Sequence, residues 1–155
     1  DVERSRGLGD VYKRQVKYNV VMKDERESGL REILNLGHTV GRAIETVSDY
    51  KLLHGEALSI GMVAQVKLGN ELRFISEENM NRVIDLYKRA NLPITIPDYI
   101  DKNVLVKKLY TDKKVRDGKL RFVFQKEIGD VMCFGDNAYG LEIAENQIAK
   151  IIENM

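Results

Sequence analysis

Two helical segments joined by a short turn constrain the fold of this chain more than any other feature. In residues 29–47 apolar side chains recur at three- and four-residue spacing on one stripe, which predicts an amphipathic helix. Residues 56–74 are apolar around most of the helix surface, which predicts a buried central helix. The turn over 49–53 permits the two helices to pack antiparallel. Gly37 and Gly41 weaken the first helix, so they indicate close approach of another backbone or a ligand.

The rest of the chain predicts a mainly α domain with one small β-hairpin. Two strands, 120–124 and 131–134, are expected to pair as that hairpin. Residues 16–22 fit either a strand or the end of a helix. Residues 1–15 show neither periodicity, so we expect a non-native or disordered leader ahead of one domain over 16–155. Further helices are predicted at about 77–90, 101–109 and 141–154.

Composition excludes several classes of partner. The 155 residues carry 25 Lys and Arg against 24 Asp and Glu, so no basic surface for nucleic acid or an anionic membrane is expected. No apolar run approaches the ~20 residues of a membrane-spanning helix. A single cysteine, Cys133, excludes an internal disulfide and favours a reducing compartment, so the expected location is the cytoplasm.

The two histidines predict a metal site. They are the only two in the chain, His38 in the string Asn-Leu-Gly-His-Thr and His54 in Leu-His-Gly-Glu-Ala. Imidazole is a good zinc ligand, but a catalytic zinc usually takes three protein ligands. Glu56 is a candidate third ligand, although a glutamate in the first turn of a helix more often interacts with the helix dipole. The alternative is two unrelated polar histidines.

A polar row accompanies His38 on the first helix. On a regular α-helix, Arg31, Asn35, His38 and Arg42 would fall within roughly 60° of one another, opposite the apolar stripe. Two guanidinium groups, an amide and an imidazole form a donor-rich strip suited to carboxylate or phosphate. The alternative is a solvated helix face.

Lysines outside this row are weaker candidates. Lys17 lies within an apolar run, and Lys113 and Lys114 lie in a charged loop that could supply cations to an anionic substrate. An ordinary solvated loop explains the second pair equally well.

Taken together, these strings resemble the C-terminal helical domain of the 3-dehydroquinate synthase family. The matching text is GLR-x-x-LNLGHT from Gly29, AIE from Ala43 and LHGEA-x-x-IGM from Leu53, with Asp24 and Glu25 upstream. The resemblance covers about residues 16–155. It implies an NAD- and zinc-dependent carbon–oxygen lyase of the shikimate pathway, which converts 3-deoxy-D-arabino-heptulosonate 7-phosphate into 3-dehydroquinate and phosphate.

The resemblance also implies roles for individual residues. His38 and His54 match two ligands of the zinc, a site that Co²⁺ or another divalent metal could also fill. Lys17, Arg31 and Asn35 match residues that hold substrate oxygens, and one of Lys113 and Lys114 is a further match. The family resemblance suggests a homodimer for the full-length enzyme.

Two departures from the family pattern leave alternatives open. The family's third zinc ligand and its NAD-binding domain precede position 16, and neither is found in residues 1–15, so this fragment alone is expected to be inactive. Arg42 stands where the family usually has a second histidine, and an arginine cannot shuttle a proton near neutral pH. Another sugar-phosphate cyclase of the same superfamily, or a non-catalytic helical module, is therefore the alternative.

Overall fold

The computed structural model of the protein describes residues 2–26, 28–111 and 120–155. Within them the fold is mostly helical, which confirms the predicted fold class. In chain order the helices and strands are α1 (Val2–Lys23), a 3-10 helix (Leu30–Asn35), α2 (His38–Val47), α3 (His54–Glu71), α4 (Glu77–Arg89), α5 (Lys102–Thr111), β1 (Leu120–Val123), β2 (Gln125–Glu127), β3 (Asp130–Val131), β4 (Gly140–Ile143) and α6 (Glu145–Glu153).

Helix α3 lies at the centre of the domain, as the sequence predicts. Its buried residues are distributed over most of its surface, and α2, α4 and α6 all pack against it. The main core joins α2, α3, α5, α6 and the sheet strands through a set of fully buried side chains, among them Ile44, Ile60, Leu68, Leu105, Phe122, Phe124, Ile148 and Ile152. A smaller cluster of Val66, Ile75 and Val83 joins α3 to α4. No helix in the described ranges combines the length and apolarity needed to cross a membrane.

The first predicted helix is broken, and this is a correction to the sequence analysis. Residues 29–47 form the 3-10 helix and α2 rather than one α-helix, and the break lies at Gly37, whose φ of +72° is left-handed. A glycine adopts that conformation at little cost, whereas a Cβ there would lie 2.6 Å from the Met62 Cγ. The turn therefore brings the start of α2 directly against α3.

Glycines also set the distance between α2 and α3. A Cβ at Gly61 would lie 2.6 Å from the backbone nitrogen of Gly41, and a Cβ at Gly41 would lie 3.1 Å from the Cα of Leu58. Residue numbers fall along α3 as they rise along α2, from Gly37 opposite Met62 to Gly41 opposite Leu58, so the two helices run antiparallel. The prediction that Gly37 and Gly41 mark close approach of another backbone is confirmed.

The strands pair differently from the predicted hairpin. The hairpin is formed by β2 and β3, which turn through Gly129, while β1 pairs antiparallel with β4. The predicted closing helix over 141–154 is therefore wrong in its first residues, and α6 begins at Glu145. The physical reason is that side chains alternate between the two faces of the sheet. Arg121 lies opposite Glu142 on the exposed face, and the next residue of β1, Phe122, is buried in the core.

The N-terminal expectation is also corrected. Val2–Lys23 is one helix, so residues 2–15 are not irregular, and residues 16–22 form its end rather than a strand. Several of its apolar side chains are exposed, including Tyr12, Tyr18 and Met22, which explains why no buried stripe marked the segment in the sequence. Whether residues 1–15 are native to the protein stays a prediction.

The glycine contact predicts a large difference between two substitutions in α3. Gly61→Ala places a methyl group against the Gly41 backbone and is expected to destabilise the fold by about 1–3 kcal/mol. Gly55→Ala is the matched control, because nothing lies within 4 Å of its added Cβ, so it is expected to be neutral or stabilising by up to about 1 kcal/mol. Urea unfolding of both variants measures the difference. Equal stability of the two would contradict the close contact.

Candidate functional site

The site begins with the two histidines, which the fold brings together. Each is the first residue of a helix, His38 of α2 and His54 of α3, and their ring centroids lie 5.9 Å apart at an interplanar angle of 58°. Two imidazoles on one tetrahedral zinc have centroids roughly 5–6 Å apart, given a Zn–N distance of about 2.0–2.1 Å. The pair therefore has the spacing that a shared metal ion requires.

Hydrogen bonds select the same nitrogen on both rings. His38 Nδ1 lies 3.1 Å from the carbonyl oxygen of Leu36, and His54 Nδ1 lies 3.2 Å from Oε2 of Glu45. A carbonyl oxygen and an ionised carboxylate only accept, so each Nδ1 donates and each neutral ring carries its lone pair on Nε2. A carbonyl or carboxylate behind a histidine is the usual support for a metal-ligating imidazole.

Glu45 is a site residue to which the sequence analysis gave no role. Its side chain is 23% exposed and that of His54 is 57% exposed, so the pair lies at the surface edge of α2 and α3. A signal was present in the sequence, because Glu45 lies seven residues after His38 and therefore on the same face of an α-helix.

Glu56 does not join the two histidines. Its Oε2 accepts a hydrogen bond of 2.8 Å from the backbone nitrogen of Leu53, so it closes the first turn of α3. Of the two interpretations of Glu56, the helix-terminus one is confirmed. Across residues 2–26, 28–111 and 120–155, no three His, Cys, Asp or Glu side chains form a metal-binding group. The described residues thus provide two imidazoles and no third ligand.

A buried amide fixes the turn in front of His38. Gln65 of α3 is 3% exposed, and its Oε1 accepts a hydrogen bond of 2.7 Å from the Gly37 backbone nitrogen. Its Nε2 donates to the carbonyl oxygen of Val123 in β1. One side chain therefore ties the left-handed turn, α3 and β1 together. The sequence analysis gave Gln65 no role, although an amide in the apolar middle of a helix is a recognisable signal.

The predicted polar row does not lie on one helical face. Arg31 and Asn35 belong to the 3-10 helix, whereas His38 and Arg42 belong to α2, beyond the break at Gly37. A 3-10 helix turns by about 120° per residue, so the α-helical angles used for the row do not apply. The prediction that the four side chains share one helical face is therefore wrong, although they lie in two consecutive elements, the 3-10 helix and α2.

The individual residues of the row differ in their surroundings. Arg31 and Asn35 are half-buried, and the Arg31 guanidinium donates to the carbonyl oxygen of Glu25 at 3.0 Å. Arg42 is exposed on α2. Lys17 is exposed on α1. Lys113 and Lys114 lie outside the described residues.

Asp24 holds the start of the 3-10 helix. Its carboxylate is 8% exposed and accepts hydrogen bonds of 2.8–2.9 Å from the backbone nitrogens of Ser28, Gly29 and Arg31 and from the Ser28 hydroxyl. These donors, that of Arg31 foremost, hold the pKa of Asp24 well below its ordinary value of 3.8 despite its burial.

The comparisons with known proteins identify the family. The sequence profile of the family named 3-dehydroquinate synthase C-terminal matches residues 12–115. This chain belongs to that family. The 3-dehydroquinate synthase of Cyanothece sp. is 48% identical over 122 residues, which cover 78% of this chain and 33% of the relative. That of Thermodesulfovibrio yellowstonii is 46% identical over 139 residues, which cover 89% of this chain and 37% of the relative. The chain thus spans about a third of the length of these curated relatives.

Solved structures share the fold at lower sequence identity. A 2-deoxy-scyllo-inosose synthase, solved with carbaglucose-6-phosphate, NAD⁺ and Co²⁺, superposes with a TM-score of 0.79 over 90% of this chain and 38% of its own, at 22% identity. The 2-epi-5-epi-valiolone synthase of Streptomyces hygroscopicus, solved with NAD⁺ and Zn²⁺, gives a TM-score of 0.72 over 90% of this chain and 37% of its own, at 23% identity. The predicted fold and family resemblance are confirmed.

Asp24 predicts a pH-dependent contribution to stability. Because its pKa is lowered on folding, its contribution is complete above the ordinary pKa of 3.8 and is lost as the pH falls below it. Asp24→Asn places an amide against the donors and is expected to lower the Tm at pH 7, with the difference from the parent chain shrinking below about pH 4. Glu25→Gln, at an exposed neighbour, is the control. Equal Tm values for Asp24→Asn and the parent chain at pH 7 would contradict this assignment.

Proposed function

We propose that the whole protein is a 3-dehydroquinate synthase and that this chain is its metal- and substrate-binding helical domain. The whole enzyme would convert 3-deoxy-D-arabino-heptulosonate 7-phosphate into 3-dehydroquinate and phosphate. The observation that carries the proposal is the pair of imidazoles, 5.9 Å apart and both supported at Nδ1, in a chain of this family.

His38 and His54 would hold the metal through their Nε2 atoms. The donor set fits zinc or cobalt, since imidazole nitrogen suits both ions, and the Co²⁺ and Zn²⁺ of the two related cyclases are consistent with it. The third ligand, a glutamate, would come from the part of the enzyme that precedes position 16 in the family pattern. The NAD-binding domain would come from that part as well.

When bound, the metal would polarise substrate oxygens as a Lewis acid and NAD would carry the hydride. The residues of this chain bind and orient the substrate. Arg31 and Asn35 would donate to its oxygens from the 3-10 helix, with Lys17 and one of Lys113 and Lys114 adding positive charge for the phosphate and carboxylate groups. Glu45 would hold the His54 ring in its ligating orientation and tautomer.

Arg42 is the feature that favours a second candidate. An exposed, permanently charged guanidinium on α2 can grip an anion but cannot exchange a proton near pH 7. A related sugar-phosphate cyclase with another product would tolerate arginine at position 42 in place of the family's usual histidine. The full-length protein would be a cytoplasmic homodimer under either assignment, acting on a small sugar phosphate and on neither nucleic acid nor membrane.

The test uses the full-length protein, incubated with 3-deoxy-D-arabino-heptulosonate 7-phosphate and NAD. We expect phosphate release, metal at one equivalent per chain, and loss of both in His54→Ala, because the remaining ligands cannot close the site. Glu56→Gln is the matched control: its amide oxygen still accepts from the Leu53 nitrogen, so metal should be retained.

Each outcome separates the candidates. A metal-loaded protein that releases no phosphate from this substrate would point to the related cyclase. Absence of stoichiometric metal in the full-length protein would point to a non-catalytic module. Normal metal content in His54→Ala by elemental analysis would refute the ligand assignment.

A further inference from the structure

The 3-10 helix that carries Arg31 and Asn35 has little packing of its own. None of its residues is fully buried, and six residues is long for a helix of this kind, whose hydrogen bonds are poorer than those of an α-helix. All six residues are half-buried, so the helix is held in part by packing against α1 and β1. Polar contacts from outside the helix add to that packing.

Glu32 provides such a contact at the middle of the helix. Its Oε2 accepts hydrogen bonds from the backbone nitrogens of Tyr139 at 3.2 Å and Gly140 at 2.8 Å, at the start of β4. Its Oε1 lies 3.2 Å from a guanidinium nitrogen of Arg121 in β1. One carboxylate thus ties the 3-10 helix to both strands of the β1–β4 sheet.

The β1–β4 sheet and the loop leading to β4 also contact the chain before and after the 3-10 helix. The Arg121 guanidinium also donates to the Gly140 carbonyl oxygen at 3.0 Å, and the Arg121 carbonyl oxygen accepts from the Thr39 hydroxyl of α2 at 3.1 Å. A Cβ at Gly29 would lie 2.5 Å from the Asn137 carbonyl oxygen, so the chain before the helix also lies against the loop leading to β4.

We propose that Glu32 is a positioning residue, whose carboxylate fastens the 3-10 helix to the β1–β4 sheet and so aims Arg31 and Asn35 at the substrate. Its carboxylate contacts the backbone nitrogens of Tyr139 and Gly140 and the guanidinium of Arg121. Its two flanking neighbours in the helix are Arg31 and Ile33, so any rotation of the Glu32 backbone turns Arg31 with it. The inference rests on the proposed function for the role of Arg31 and Asn35.

The two kinds of contact made by Glu32 have unequal weight. The Arg121 side chain is 51% exposed, so its ion pair with Glu32 is screened by solvent and contributes little. The two backbone amides donate to a half-buried charged acceptor, and such hydrogen bonds are the stronger class. The amides should therefore matter more than the ion pair.

The experiment compares four variants of the full-length protein: Glu32→Ala, Glu32→Gln, Arg121→Ala and the exposed control Glu127→Ala. We expect Glu32→Ala to raise KM for 3-deoxy-D-arabino-heptulosonate 7-phosphate by about tenfold or more, with metal content and kcat little changed, since misplaced binding groups cost binding first. Glu32→Gln should recover part of the loss, because its amide oxygen can still accept from the Tyr139 and Gly140 nitrogens. Arg121→Ala and Glu127→Ala should lie near the parent value.

Backbone amide exchange provides a readout that does not depend on activity. In Glu32→Ala the amides of residues 30–36 and of Tyr139 and Gly140 should exchange faster, by about tenfold or more, while those of α3 are unchanged. A uniform rise across the domain would mean general destabilisation and overturn the proposal.

The remaining outcomes are also decisive. Faster exchange in residues 30–36 without a change in KM would overturn the positioning role, as would an equal rise in KM in Glu127→Ala. If the parent protein releases no phosphate from this substrate, the proposed function fails, and amide exchange alone then decides whether Glu32 fastens the helix.

Discussion

The contact between α2 and α3 at Gly41 and Gly61 is the constraint on which the site depends. It lets two helix backbones approach at a distance that any side chain would prevent. Because α2 begins at His38 and α3 begins at His54, the crossing and the short turn between the helices together decide where both imidazoles lie. A wider crossing would separate the rings beyond the reach of one metal ion.

Polar anchors then set the orientation of the groups that the crossing brings together. Gln65 fixes the left-handed turn at Gly37, and Glu45 and the Leu36 carbonyl oxygen fix the two imidazoles. Asp24 accepts hydrogen bonds at the start of the 3-10 helix, and Glu32 ties the middle of that helix to the β1–β4 sheet. The site is thus built at helix ends and turns, where backbone donors and acceptors are not used by helical hydrogen bonds.

Much of this arrangement can be predicted from the sequence, and the failures have physical causes. The buried central helix follows from apolar residues around most of its surface, and the close approach at Gly37 and Gly41 follows from glycine placed where it weakens a helix. The meeting of the two histidines follows from the short turn, which permits antiparallel packing. The break at Gly37 could not be predicted, because the apolar spacing continues across it and the cause is a partner, Gln65, that is distant in sequence.

The strand errors have a similar origin. β4 falls within the predicted closing helix because Leu141 lies seven residues before Ile148, which is a helical spacing, and only its pairing with β1 identifies it as a strand. The roles of Glu32 and Glu45 likewise depend on partners in other elements. Local pattern identifies the two histidines as candidate metal ligands, whereas the residues that support their rings are found only when the chain is folded.

The imidazoles of His38 and His54 are proposed to share one metal ion, and X-ray absorption at the zinc edge of the full-length, zinc-loaded protein can detect both as ligands. We expect scattering from two imidazole nitrogens at about 2.0–2.1 Å, with one imidazole fewer in His38→Ala. A first shell without imidazole, or one unchanged by His38→Ala, would contradict it.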